Sequence, residues 1–237
     1  MRWPFEGTFA PLREGNVQVT DPDGTHSYLL YVDDVGTLQV NSGRLLACDP
    51  LTPMVERVVV AVEPGTYPVR VTVADVSDAK DRSHLRVAYV SLVTAQADFA
   101  SRKVLDPLGM YGDPGEEGFY GVGVDAGAVA FVDEVNLRTL FPGWFAVADP
   151  DVPFDEDVYD NAIATGPDRW TELLNAASPL PAGFVNVPLP SAPNNENIVI
   201  CSSGWGDGVY PVIGTYDVYG NLTGVHIDLQ VVGDFTD

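Results

Sequence analysis

The segment Cys201-Ser202-Ser203-Gly204-Trp205-Gly206-Asp207-Gly208-Val209-Tyr210 is the richest in the chain for chemistry. Its alternating glycines permit positive φ and close approach to the backbone, Trp205 offers an aromatic plate and Asp207 a carboxylate. Two readings fit these residues. In one, Ser203, Trp205, Asp207 and Tyr210 face a ligand, with Asp125 contributing from a neighbouring turn. In the other, the segment is a tight hairpin connection in which Trp205 packs on the core and Asp207 caps its own turn. Covalent chemistry at a serine is disfavoured. The G-x-S-x-G elbow needs a glycine two positions before the serine, and Ser202 and Ser203 have Ile200 and Cys201 there. A histidine base would have to come from His26, His84 or His226.

Carboxylates offer a second chemistry. Asp49, Asp125, Asp133 and Asp207 could converge as oxygen ligands for Ca²⁺ or Mg²⁺, which hold two or more carboxylates together with carbonyl oxygens. A cation held there would activate water, giving a metal-assisted hydrolase. The competing reading makes each of them a turn-capping aspartate bonded to nearby backbone amides. No EF-hand spacing occurs, even in the acidic stretch 149–160. Gly121-Val122-Gly123-Val124-Asp125-Ala126 matches the dinucleotide pattern G-x-G-x-x-A in form only. Residues 127–132 read as strand where a helix is required, and the acid expected about 20 residues on is replaced by Phe141. The Asp125-Ala126-Gly127 turn also lacks the alternating α/β context of an ATPase phosphate hairpin. The residues name no cofactor, and they leave catalysis undecided.

Charge narrows the partners. The chain has 237 residues with 34 Asp and Glu against 12 Lys and Arg, a formal charge of −22. Such a field repels phosphate backbones and lacks the basic stripe that nucleic acid or an anionic membrane surface requires. The acids are scattered through turns, which argues for a solvated, soluble surface rather than mimicry of DNA phosphates. A protein or small-molecule ligand remains. No stretch approaches the ~20 apolar residues of a membrane span, and the start Met1-Arg2-Trp3-Pro4-Phe5-Glu6-Gly7 has no apolar signal core. Cys48 and Cys201, each ending an apolar run, form neither a disulfide framework nor a CxxC pair and read as small buried hydrophobes. A reducing cytoplasm is therefore the expected location, where the sequon Asn221-Leu222-Thr223 is silent.

The elements that must position these groups are mostly strands. Residues 26–32 and 37–40 flank Asp33-Asp34-Val35-Gly36 and read as a hairpin, and 44–48 is a strand closed by Asp49-Pro50. Residues 55–62 form an apolar run, Glu63-Pro64-Gly65 turns the chain, and 67–76 places Val69, Val71 and Val73 on one face. A polar loop, 77–83, leads to a strand at 85–93. Residues 105–118 read as an exposed loop, and 119–131 returns to strand character around Asp125-Ala126-Gly127. Helices are expected from the cap Asp133 through 140, over 155–164, and from Pro167 with Trp170, Leu173 and Leu174 on one face. Residues 183–190 are extended but carry Pro188 and Pro190, which excludes a central strand. Strands at 197–202, 209–217 and 222–232 would make a meander, starting at the Gly-Trp-Gly-Asp-Gly loop.

Several of these elements together resemble a bacterial domain-of-unknown-function family, family 4241. They are Gly43 through Asp49-Pro50, Pro64-Gly65-Thr66-Tyr67-Pro68-Val69, Arg86-Val87-Ala88, Gly123-Val124-Asp125-Ala126-Gly127, and Ser203 through Tyr210 followed by Gly214 and Gly220. The resemblance runs over roughly residues 40–235, with Asp234-Phe235 matching a closing acidic-aromatic pair. It implies no activity, substrate or cofactor. It does imply that the DP, DAG and GWGDG elements are family signatures, and that Asp49, Asp125 and Asp207 are the acids of interest.

The fold expected is a single α+β domain over 1–237, mostly antiparallel β-sheet as a sandwich or half-open barrel, with two or three short helices. The function expected is a non-catalytic binding or interaction domain with a cleft near the DAG and GWGDG turns, the alternative being the aspartate-based hydrolase.

Overall fold

The computed structural model describes residues 9–21, 24–53, 56–96, 98–108, 119–136, 183–189 and 196–233. The strands among them are β1 (Gly15–Asp21), β2 (Gly24–Val40), β3 (Arg44–Cys48), β4 (Val58–Ala61), β5 (Gly65–Asp75), β6 (Leu85–Val93) and β7 (Ser101–Val104). They continue as β8 (Gly121–Val124), β9 (Ala128–Asp133), β10 (Phe184–Pro188), β11 (Asn197–Ser202), β12 (Gly208–Tyr216) and β13 (Leu222–Asp228). One sheet runs β1-β2-β5-β6-β13-β12-β7, with β8 paired to the start of β12; the other runs β10-β11-β9-β3-β4. Every pairing is antiparallel.

The smaller sheet explains itself from its residues. Leu45 and Ala47 of β3, Val129 and Phe131 of β9, and Val199 and Cys201 of β11 join one apolar cluster with Val71, Val90 and Ile227 of the larger sheet. The alternate residues Leu46, Cys48, Ala130, Val132, Ile198 and Ile200 form a second cluster on the opposite face. Both faces are buried, so these strands read as continuous apolar runs rather than alternating ones. Cys48 and Cys201 are free, buried on opposite faces, and burial pushes both thiols up, which fits their reading as hydrophobes.

Three expectations are corrected. Asp33-Asp34-Val35-Gly36 does not reverse the chain: β2 is continuous from Gly24 to Val40 and bulges against β5 between Asp34 and Thr37. Gly36 has φ +93° and donates its N–H to Asp34 Oδ1 at 2.8 Å, the chemistry a turn and a bulge share. The bulge survives because the smaller sheet satisfies it. Asn186 Nδ2 donates to the carbonyls of Val35 and Thr37 at 2.7 and 3.1 Å, and Asn197 Nδ2 donates to Thr37 O at 2.6 Å while its Oδ1 accepts from Gln39 N.

The second correction concerns the C-terminal meander. β11 belongs to the smaller sheet and β12 and β13 to the larger, so the GWGDG loop carries the chain between sheets. The third concerns the helices of the α+β class: the described residues contain one helical turn, 134–136, and are otherwise antiparallel β. Asp133 does cap that turn, its Oδ1 accepting Val135 N at 3.1 Å, but residues 137–140 of the helix expected there, and the helices expected at 155–164 and from Pro167, lie outside the described residues. β1 and β7 are strands additional to those expected. No helix among the described residues is long and apolar enough to cross a membrane.

The outer face of the larger sheet is buried but polar. Residues 9–12 lie on it, Ala10 N donating to Tyr89 Oη at 3.3 Å and Leu12 N to Thr72 Oγ1 at 2.9 Å, while Phe9 packs edge-on against Tyr89 and His226. Below, His226 Nδ1 shares a hydrogen bond with Ser91 Oγ at 2.8 Å and its Nε2 one with Thr215 Oγ1 at 3.0 Å. Burial lowers His226 to about 3 and raises Asp228 to about 7, against the opposing pull of the Gln230 amide and Arg102.

The signs are opposite. Asp228 keeps a proton when folded that it releases near its ordinary 3.8 when unfolded, so its contribution is present at low pH and lost as pH rises towards about 7. His226 stays neutral when folded and takes a proton below its ordinary 6.5 when unfolded, so its contribution is present above that pH and lost as pH falls towards about 3. Asp228→Asn, which keeps an acceptor for Gln230, should therefore gain on the wild type by roughly 2–4 kcal/mol between about pH 4 and pH 8. Urea unfolding across that range measures it, and a pH-independent difference would mean that Asp228 is ionised inside the fold.

Candidate functional site

The crossing loop is built from backbone bonds before any side chain reaches solvent. Ser203 N donates to Gly127 O at 2.9 Å, tying the crossing to the DAG turn, and Gly206 N donates to Ser203 O at 2.6 Å. Ser203 Oγ and Tyr210 Oη both donate to Gly206 O, at 2.7 and 2.9 Å. Gly204 lies at φ +25° against the larger sheet where β6 runs beside the end of β13, so that a Cβ would come within 3.0 Å of the Leu229 and Val87 carbonyl oxygens. Glycine is required by that close approach. Ser203 is 2 % exposed and Tyr210 4 %; both are turn locks, and neither offers its hydroxyl to a reaction.

Trp205 is therefore not part of the core. It stands 53 % exposed at the tip of the loop. The Arg86 guanidinium lies over its ring at 5.2 Å, and the His84 ring meets it edge-on at 6.0 Å. Asp207 is exposed beside it and adds to the rise of the Tyr210 phenol, for which burial is the larger cause.

Next to this loop a cleft of about 300 Å³ opens between the sheets, lined by Val73 and Val87 from one, Phe184 and Ser202 from the other, and by Asp33, Arg82 and Arg86. The segment preceding β6 is held by Asp75, whose Oδ1 accepts from Ser77 N and Oγ at 3.0 and 2.6 Å and whose Oδ2 accepts from Arg82 N at 2.7 Å. That clasp keeps Arg82 at φ +65° with its guanidinium 4.3 Å from the Tyr31 ring centre. Arg82, His84 and Arg86 were not anticipated as site residues. The signal was available: Lys80, Arg82, His84 and Arg86 alternate over 80–86 in a chain with only 12 Lys and Arg.

A second hollow, about 400 Å³, is bounded by Leu12, Pro68, Arg70, Val93, Gln96 and Asp98. Arg70 pairs with Ser91 in the β5–β6 register, which puts this hollow on the outer face, away from both turns.

The four aspartates expected around a cation do not assemble. Asp49 is fully buried, with Oδ2 accepting from Asp125 N and Ala126 N at 3.0 and 2.9 Å and Oδ1 from Leu51 N at 2.8 Å. Asp133, equally buried, accepts from Ser42 N and Oγ at 2.8 and 2.6 Å. Asp49 serves the turn that precedes Ala128 and Asp133 ends the same strand β9; five steps of ~3.4 Å put the two ends about 17 Å apart. Asp125 and Asp207 are exposed. Among the described residues no group of three or more His, Cys, Asp or Glu could hold a metal.

Fold and site define a two-sheet antiparallel β-protein with an open cleft where the chain crosses between its sheets. The family model described as Protein of unknown function (DUF4241) matches residues 38–227, and the chain belongs to that family. The match takes in Arg82, Arg86, Trp205 and both turns; Tyr31 and Asp33 precede it. Comparison with curated proteins and with solved structures gives no match.

Asp49 is the clasp of the DAG turn, and its two oxygens serve three amides. Asp49→Asn leaves one oxygen and turns an NH₂ towards a donor, so it should cost about 1.5–3 kcal/mol. Asp207→Asn, on the solvent side, should stay within about 0.5 kcal/mol of wild type. Urea midpoints of the two variants decide it; equal costs would mean that Asp49 is not holding the turn.

Proposed function

We propose that this protein is a non-catalytic binding module, one domain in extent, whose small-molecule ligand occupies the cleft beside the GWGDG loop. The observation that carries the reading is Trp205, a large aromatic side chain held half-exposed on a turn locked through Ser203 and Tyr210, with its neighbours Gly204 and Arg86 in the cleft lining. An exposed aromatic on a rigid support provides contact area at low ordering cost. The cleft, about 300 Å³, falls at the lower end of volumes that hold small ligands.

Binding is favoured over catalysis by what the nucleophile and base candidates already do. Ser203 donates to Gly206 O, and Ser91 and His226 are buried with one another beneath Phe9. The carboxylates that could serve acid–base work, Asp49 and Asp133, accept backbone amides.

A thermal-shift screen of the full chain with small metabolite-like compounds tests the reading, because a ligand of the native state raises the midpoint by mass action. The comparison protein is Ser202→Trp, which fills the cleft. Compounds should raise the wild-type midpoint and leave that of the folded Ser202→Trp protein unchanged. Equal shifts in both proteins, or no shift from any compound, would overturn it.

A further inference from the structure

Resting on the cleft reading above, we infer that the ligand is a small aromatic acid, its anionic group held by Arg86 and Arg82 and its ring laid beside Trp205. Two arginines of the cleft have no carboxylate partner among the described residues. In a chain of 34 acids and 12 bases an arginine has many carboxylates within reach, and Arg44 shows the usual result, with Nε 2.5 Å from Glu134 Oε2. Arg82 and Arg86 make no such pair with a described residue. Each is placed by an aromatic face instead, Arg82 over Tyr31 and Arg86 over Trp205.

Stacking engages the face of a guanidinium and leaves its N–H edge free, in the fork geometry that matches carboxylate or phosphate oxygens. Arg86 adds an independent sign. Its Nε, like that of Arg70 in the other hollow, is buried with no hydrogen-bond partner among the described residues, a group that costs stability unless an acceptor reaches it. Asp75 fixes the backbone of Arg82 by accepting a hydrogen bond from its N–H rather than by an ion pair, so the charge is positioned without being neutralised.

Asp33 in the same lining sets the limit. One acid facing two arginines leaves room for a single negative charge and selects a ligand that also carries a donor, such as a ring hydroxyl or amine. A polyphosphate would face Asp33 as well as the field of a −22 chain. The ring requirement comes from Trp205, which remains half-exposed after Arg86 has covered part of it.

The test titrates the full chain with 4-hydroxybenzoate, its uncharged analogue 4-hydroxybenzamide, and acetate, reading Trp fluorescence and calorimetric heat. The acid should bind, with the amide and acetate each at least about tenfold weaker. Arg86→Met, which keeps the apolar stem, should weaken the acid by about ten- to a hundredfold, and Arg82→Gln by a smaller factor. Arg70→Met controls for general loss of positive charge and for folding, since it removes an arginine from the other hollow; it should leave the affinity unchanged.

If the amide binds as tightly as the acid, or Arg86→Met binds the acid like wild type, the anionic assignment fails while the cleft reading stands. Equal weakening by Arg70→Met overturns the assignment too, by showing an effect of net charge alone. If none of the three probes binds, the aromatic-acid assignment is wrong, and the compound screen against Ser202→Trp judges the cleft separately.

Discussion

Burying the smaller sheet on both faces is the constraint on which the rest of the structure depends. Alternate side chains of β3, β9 and β11 go to one apolar cluster or the other, so neither face is available to water. Where the ladders stop, the backbone must find acceptors and donors within the protein. Asp49 meets that need at the DAG end of β9 and Asp133 at the other, each with both oxygens engaged. At the edge facing β2, Asn186 and Asn197 take the carbonyls that the bulge exposes, and Asn197 Nδ2 also donates to Asn186 Oδ1 at 2.7 Å. Buried polar groups in such a setting hold a unique arrangement together when fully satisfied.

That constraint divides the work among residues that look alike in sequence. Carboxylates inside are acceptors for amides, whereas Asp125 and Asp207 on the same turns point outward. The GWGDG loop is divided in the same way. Ser203 and Tyr210 close on Gly206 O, Gly204 lets the backbone press against the larger sheet, and Trp205 is left exposed. With the turn locked and no core place for the indole, Arg86 of β6 and His84 just before it supply its neighbours. The hollow lies where the two sheets pack, with Arg82 and Arg86 in its lining.

Much of the β architecture was legible residue by residue. The run 85–93 is β6 and 44–48 is β3, and Val69, Val71 and Val73 do share the core cluster. Glycine and aspartate punctuation was less decisive. Asp33-Asp34-Val35-Gly36 carries the same positive-φ glycine and Asx bond whether the chain turns or bulges, and only a donor 151 residues from Val35, the Asn186 amide, settles which. At Asp133 a local cap was correctly read, since the bond to Val135 is two residues long. The lining of the hollow was not legible: Ser203, Trp205, Asp207, Tyr210 and Asp125 were the candidates, and none of them lines it, while Arg82, Arg86, Phe184 and Ser202 come together only when the two sheets pack.

The sequence by itself determined an antiparallel β-protein, the position of most strands, and its family, because period-two burial, β-branched runs and turn residues act over a few neighbours. Only the tertiary structure decided which sheet each strand joined. β9 pairs with β3 and with β11, partners far from it in the chain, and apolar runs of similar composition serve either sheet. Ladder pairing is non-local, and the hydrogen bond that closes it carries no mark in the residues it joins. For the same reason the tertiary structure alone settled that Asp49 is a clasp, that Asp133 lies at the far end of the same strand, and that Arg82 and Arg86, which make no carboxylate pair among the described residues, line one hollow.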